Sequence, residues 1–88
     1  MAWRIEFERA AECELAKLDS QSRTRILKFL NERLAPIADP RSIGQALQGP
    51  LNAFWKYRVG DYRLIAAIED KVLRVLVVRI GNRREVYR

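Results

Sequence analysis

Trp3, Ile5 and Phe7 alternate with Arg4, Glu6 and Glu8. A period of two predicts a strand with one buried face. The period then lengthens. Ala11, Leu15 and Leu18 recur at helical spacing and predict a first helix over residues 8–18. Asp19 and Ser20 are N-cap residue types. Beyond them Ile26, Leu27, Leu30, Leu34 and Ile37 form the apolar stripe of a second helix, ended or kinked by Pro36 and the Asp39-Pro40 pair. The two helices read as a hairpin that lays its stripes on a sheet.

Residues 40–52 read as a loop, with Gly44, Gly49 and Pro50 as breakers. Three strands follow, over residues 53–59, 62–68 and 72–80. Gly60-Asp61 fits a two-residue hairpin turn with glycine at its first central position. That turn sets Val59 opposite Tyr62, Arg58 opposite Arg63, Tyr57 opposite Leu64 and Trp55 opposite Ala66. Trp55, Tyr57, Val59, Tyr62, Leu64, Ala66 and Ile68 then share an apolar face that meets the helices. Gly81 is expected to stop the last strand. The fold class is α+β: one small domain over residues 1–88, in the order β-α-α-β-β-β, with an antiparallel-rich twisted sheet packed on an N-terminal helical hairpin.

Composition narrows the chemistry. The 88 residues contain no His and one Cys. Ser-His-Asp and Cys-His nucleophilic sites, His metal sites and an intrachain disulfide are thereby excluded. Cys13 reads as a bland, half-buried thiol, and no cofactor or metal is expected. No apolar run approaches the roughly 20 residues that span a bilayer. The N-terminus has no basic-then-apolar signal region. A cytoplasmic protein without a membrane partner is therefore expected.

Charge adds the positive indication. There are 17 cations, 13 of them Arg, against 11 anions. Residues 1–39 carry seven of each, so the whole surplus of six falls in residues 40–88. A polyanion is the natural partner. The hairpin register gathers Lys56, Arg58 and Arg63 on the face away from the helices. Like charges opposite each other in a sheet are unfavourable. Such a set is either spread into solvent or used against an anion. The tail adds Arg83, Arg84, Tyr87 and Arg88. Cations interleaved with an aromatic suit single-stranded nucleic acid, guanidinium to phosphate and ring to base. Glu6, Glu8, Glu12 and Glu14 read as surface carboxylates, and Trp3, Phe7, Phe29 and Trp55 as core.

The segments Trp55-Lys56-Tyr57-Arg58, Asp61-Tyr62-Arg63-Leu64-Ile65 and Gly81-Asn82-Arg83-Arg84-Glu85-Val86-Tyr87 carry a resemblance. In this order and in a basic chain of this length, the sequence resembles the RelE toxins of type II toxin–antitoxin systems, within the RelE/ParE superfamily. The resemblance covers essentially the whole chain. It implies a metal-independent endoribonuclease that enters the A site of a translating ribosome and cuts the mRNA there. In that family the ribose 2′-hydroxyl attacks the adjacent phosphate and leaves a 2′,3′-cyclic phosphate and a 5′-hydroxyl. The family's catalytic positions fall on Lys56, Arg58, Arg63, Arg83 and Tyr87. Lys56 takes the role of base or of orienting the 2′-hydroxyl, and Arg58 and Arg63 hold the phosphate. Arg83 serves the leaving oxygen, and Tyr87 stacks on the nucleotide. Arg84 and Arg88 are expected to contact ribosomal RNA.

Two departures bear on these roles. Arg58 stands where the best-known member of the family has Lys, and Asn82 where many relatives have His or Lys. The resemblance also implies a cognate antitoxin that masks the site, and operator DNA contacted only through the antitoxin complex. Two other readings stay open: a gyrase-poisoning toxin of the ParE branch, and a basic binding module without enzymatic activity.

Overall fold

The computed structural model describes residues 3–47 and 54–82. The alternating N-terminal segment is strand β1 (Arg4–Phe7), followed by helix α1 (Arg9–Ala16). No basic residue lies in the last turn of α1. Arg23 serves it from the next helix, donating to the carbonyls of Ala16 at 3.4 Å and Leu18 at 3.3 Å. Helix α2 (Ser20–Lys28) starts at Asp19, whose carboxylate accepts from the Ser22 N–H at 3.1 Å. This is the capping that the residue types predict.

The stripe of the second helix then widens into a π-helical segment (Phe29–Leu34), closed by Ala35 N–H donating to the Leu30 carbonyl. Ile26, Leu30 and Leu34 are all buried along it. Nothing in the spacing of the stripe distinguishes a π turn from an α turn.

A 3₁₀ turn (Pro40–Ile43) and a two-residue strand β2 (Gln45–Ala46) occupy what the sequence reads as loop. β2 is therefore an addition to the expected order. Two residues, both exposed, are too short for a period of two to register. Strands β3 (Trp55–Val59), β4 (Tyr62–Glu69) and β5 (Arg74–Asn82) complete a sheet in the order β1-β5-β4-β3-β2. β1 runs parallel to β5, and the other pairs are antiparallel. A 3₁₀ turn over Asp70–Val72 joins β4 to β5, so β5 starts later than expected. It also ends later: Gly81 lies inside the strand, opposite Arg63.

The central hairpin adopts the expected register, with Val59–Tyr62, Arg58–Arg63, Tyr57–Leu64 and Trp55–Ala66 as partners. Gly60 takes φ 59° and Asp61 does not share the positive sign. This is the type II′ pattern, whose twist matches the flanking strands. Tyr57, Val59, Leu64, Ala66, Val75, Val77 and Ile80 face the helices and form one core with Trp3, Ala11, Leu15, Ile26, Leu30 and Leu34. A bulge where Ile65 and Ala66 of β4 meet Arg79 and Val77 of β5 leaves Val78 over. It brings both Val77 and Ile80 to the buried side. Phe7, Phe29 and Trp55 pack at the margin of the core. Cys13 is exposed rather than half-buried, because α1 buries only Ala11 and Leu15. No helix among the described residues is long and apolar enough to cross a membrane.

Tyr57 locks the 3₁₀ turn to the sheet. It is 1% exposed, and its hydroxyl donates to the Pro40 carbonyl at 2.7 Å. Gly44 passes so near the same ring that a Cβ there would stand 2.8 Å from Tyr57 Cε1, a contact only glycine avoids. Burial pushes the Tyr57 phenol up to about 12. The unfolded phenol ionises first, so stability is full below pH 10 and falls as pH rises from about 10 to about 12. Tyr57→Phe leaves the Pro40 carbonyl without its donor. It is expected to lower stability by about 1–2 kcal/mol, with Tm down by about 4–16 °C. Thermal unfolding followed by circular dichroism checks both points, since the variant should also lose that alkaline slope.

Candidate functional site

On the side of the sheet away from the helices, two cross-strand rows lie next to each other. One runs Arg58, Arg63, Gly81 across β3, β4 and β5, and the other runs Lys56, Ile65, Arg79. Lys56, Arg58 and Arg63 line one cavity of about 180 Å³ with Ile43 and Gln45. The three cations that the register groups are thus brought together.

They differ in setting. Arg58 is exposed, Lys56 is half-buried, and Arg63 is only 8% exposed. Arg63 is the one charged residue buried among those described. Burying a guanidinium opposes folding unless its charge is met. The sequence places Arg63 on this face but gives no hint of that depth.

The floor and rim come from neighbours that sequence reasoning passed over. Ile65, 5% exposed, is the cross-strand partner of Lys56 beneath this face. Gln45 of β2 stands opposite Lys56, and Ile43 ends the 3₁₀ turn. Both fall in the segment read as loop, and a polar residue next to a glycine carried no signal by itself. Gly81 leaves the position on the β5 side of Arg63 without a side chain.

Other second-half cations are consumed elsewhere. Arg74 pairs with Glu69 and with Glu6, the latter at 3.1 Å. Arg41 makes a two-pronged pair with Asp70, at 3.0 and 2.5 Å, and reaches Asp39 at 3.3 Å. This holds the Asp70 carboxyl below the usual range. Arg79 pairs with Glu14 at 3.1 Å. The same carboxylate accepts the Ile80 N–H at 2.8 Å. β1 ends at Phe7, so β5 beyond Val77 has an open edge on that side, and Glu14 covers it. Glu6 and Glu14, expected as surface decoration, are therefore ion-pair partners. Arg83, Arg84, Tyr87 and Arg88 lie outside the described residues.

The cavity can bind an anion and stabilise charge that develops on it. Of its three cations only Arg63 is buried, and there a contact to an anion is stronger than in water.

Residues 5–87 match the family model described as the ParE toxin of the type II toxin–antitoxin system parDE. The chain is 27% identical to Toxin RelG of Mycobacterium tuberculosis over 88 residues, which is 100% of this chain and 99% of that one. The structure resembles a chain of the toxin–antitoxin complex RelBE2 from the same organism, with TM-score 0.86 and 25% identity, covering 97% of this chain and 95% of that one. It also resembles the isolated RelE toxin of E. coli, with TM-score 0.73 and 28% identity, covering 98% and 92%.

Proposed function

Because the chain belongs to the ParE toxin family of type II toxin–antitoxin systems, we propose that it is a RelE-like toxin that cleaves mRNA in the ribosomal A site and is neutralised by a cognate antitoxin. The observation that carries the reading is the convergence of Lys56, Arg58 and buried Arg63 on one cavity. The structural relatives include toxins solved with their antitoxins, RelBE2 of M. tuberculosis and RelBE of E. coli, which supports the antitoxin partner.

The chemistry is an internal transfer. The ribose 2′-oxygen bonds to phosphorus as the bond to the 5′-oxygen breaks. Lys56 orients the 2′-hydroxyl and takes its proton, and Arg83 gives a hydrogen bond to the departing 5′-oxygen, which takes up a proton from water. The phosphoryl oxygens gain charge in the transition state. Arg63, held in place by burial, meets that charge without reorganising, while exposed Arg58 assists. Tyr87 stacks on the nucleotide, and Arg84 and Arg88 hold ribosomal RNA. The ribosome supplies the in-line alignment that a site without His does not enforce alone.

The reading predicts a role for Gly81 as well. Gly81→Val puts a branched side chain on the face and in the row of Arg63. Messenger cleavage should fall by roughly ten- to a hundredfold through misplacement of the guanidinium. Tm should hold within a few degrees.

The ParE name of the family model keeps one rival in view, a toxin that poisons DNA gyrase. The order of events after induction in cells separates the two. The nuclease reading predicts that amino-acid incorporation stops first, before any DNA-damage signalling. Early DNA damage with translation still running would replace it with the gyrase reading.

A further inference from the structure

Helix α2 and the π-helical segment carry Arg25, Lys28 and Arg33, within a half of the chain whose formal charge is zero. That balance is not local. Two of its acids, Glu6 and Glu14, are engaged by Arg74 and Arg79 from the second half. None of Arg25, Lys28, Arg33 and Arg58 makes an ion pair with a carboxylate among the described residues. These four line a second depression of about 350 Å³, between the helical layer and the β3–β4 turn, with Glu32 as its one acid and Phe29 as an apolar wall. The Arg25 guanidinium lies against the turn, because a Cβ on Gly60 would come within 3.0 Å of its Nη1. Arg58 lines both this groove and the cavity with Lys56 and Arg63. The two therefore adjoin at one shared side chain.

We propose that this groove is a second RNA subsite, which takes the phosphodiester backbone of the strand continuing from the nucleotide held over Lys56, Arg58 and Arg63. The inference rests on the nuclease reading of the cavity and extends it along the substrate. Four cations against one acid, adjoining the cavity at Arg58, match a polymer with one charge per unit. Three of the four are arginines, whose planar fork suits phosphate oxygens. Arg58, shared with the cavity, favours the strand held there over an acidic protein segment as the occupant.

The test uses the full chain and two probes made wholly of 2′-O-methyl nucleotides, which cannot be cleaved: a dinucleotide and an octanucleotide. Binding is followed by fluorescence anisotropy across a salt series, for wild type and for Arg25→Gln/Lys28→Gln. Both residues are exposed, so the fold should persist, and circular dichroism verifies it. The double variant should bind the octanucleotide roughly tenfold more weakly at low salt. Its slope of log affinity against log salt should be shallower by about 1.4, the value for two lost phosphate contacts on a single strand. Dinucleotide affinity should not change. Unchanged octanucleotide binding, equal loss on both probes, or a wild type with no preference for length would overturn the subsite. So would a variant that keeps RNA affinity but no longer binds its antitoxin, which would give the groove to that protein. Arg63→Ala in the same assay reports on the cavity separately. If it leaves dinucleotide binding intact, the cavity reading fails; if it weakens it while the groove variant does nothing, only the groove fails.

Discussion

Arg63→Ala is expected to lower ribosome-dependent mRNA cleavage by about 10²–10³-fold and to relieve growth arrest in cells. The size follows from removing a fixed, desolvated donor from the charge that builds in the transition state. Arg63 is 8% exposed, so its field is little screened. Arg58 lies directly opposite on β3 but is exposed. Arg58→Ala should therefore cost less, roughly tenfold. Arg63→Lys keeps the charge and loses the fork, and should fall between wild type and Arg63→Ala. Stability gives the control. Removing a buried guanidinium removes its desolvation penalty but also its packing and the contacts it makes, so melting curves serve to show that Arg63→Ala is folded at the assay temperature. Single-turnover cleavage on stalled ribosomes, with melting curves on the same preparations, measures both quantities. An Arg63→Ala protein that folds and cuts at the wild-type rate would remove the cavity from the mechanism.

The largest effect on stability belongs to Leu64, the next residue along β4. It is fully buried, opposite Tyr57 on one side and Ile80 on the other. Leu64→Ala removes those contacts and leaves a cavity in a strand with neighbours on both edges. The expected cost is about 2–5 kcal/mol, or a fall in Tm of about 10–30 °C for a domain of this size. Val72 is the contrasting case. It is 49% exposed in the turn before β5, and Val72→Ala should shift stability by no more than about 0.5 kcal/mol. A Leu64→Ala protein as stable as Val72→Ala would contradict the assignment of Leu64 to the core.

The central hairpin was legible because Gly60-Asp61 fixes a register, and a register with a period of two decides every face. Lys56, Arg58 and Arg63 followed from that one turn. The limits of β5 were not legible. Gly81 reads as a stop by composition, yet its lack of a side chain suits a strand position next to Arg63. Strand β2 escaped because two exposed residues have no alternation to detect, and Gln45 and Ile43 were lost with it.

The charge tally misled for a different reason. Counting by halves put the whole surplus after residue 39. Ion pairs join residues across the sequence, and Glu6 with Arg74 and Glu14 with Arg79 move the neutralisation. The cations left over on α2 become visible only once those partners are known. Arg63 shows the same limit at one residue, since its depth depends on what Ile65, Gly81 and the β2 rim build around it.

The most direct measurement of the central claim is a reconstituted translation reaction in which new mRNA 5′ ends are mapped after adding the purified protein or Arg63→Ala. The account predicts cuts inside the A-site codon, with 5′-hydroxyl ends, that vanish without ribosomes and vanish with the variant. Intact messenger at protein levels that still arrest growth in cells would contradict it.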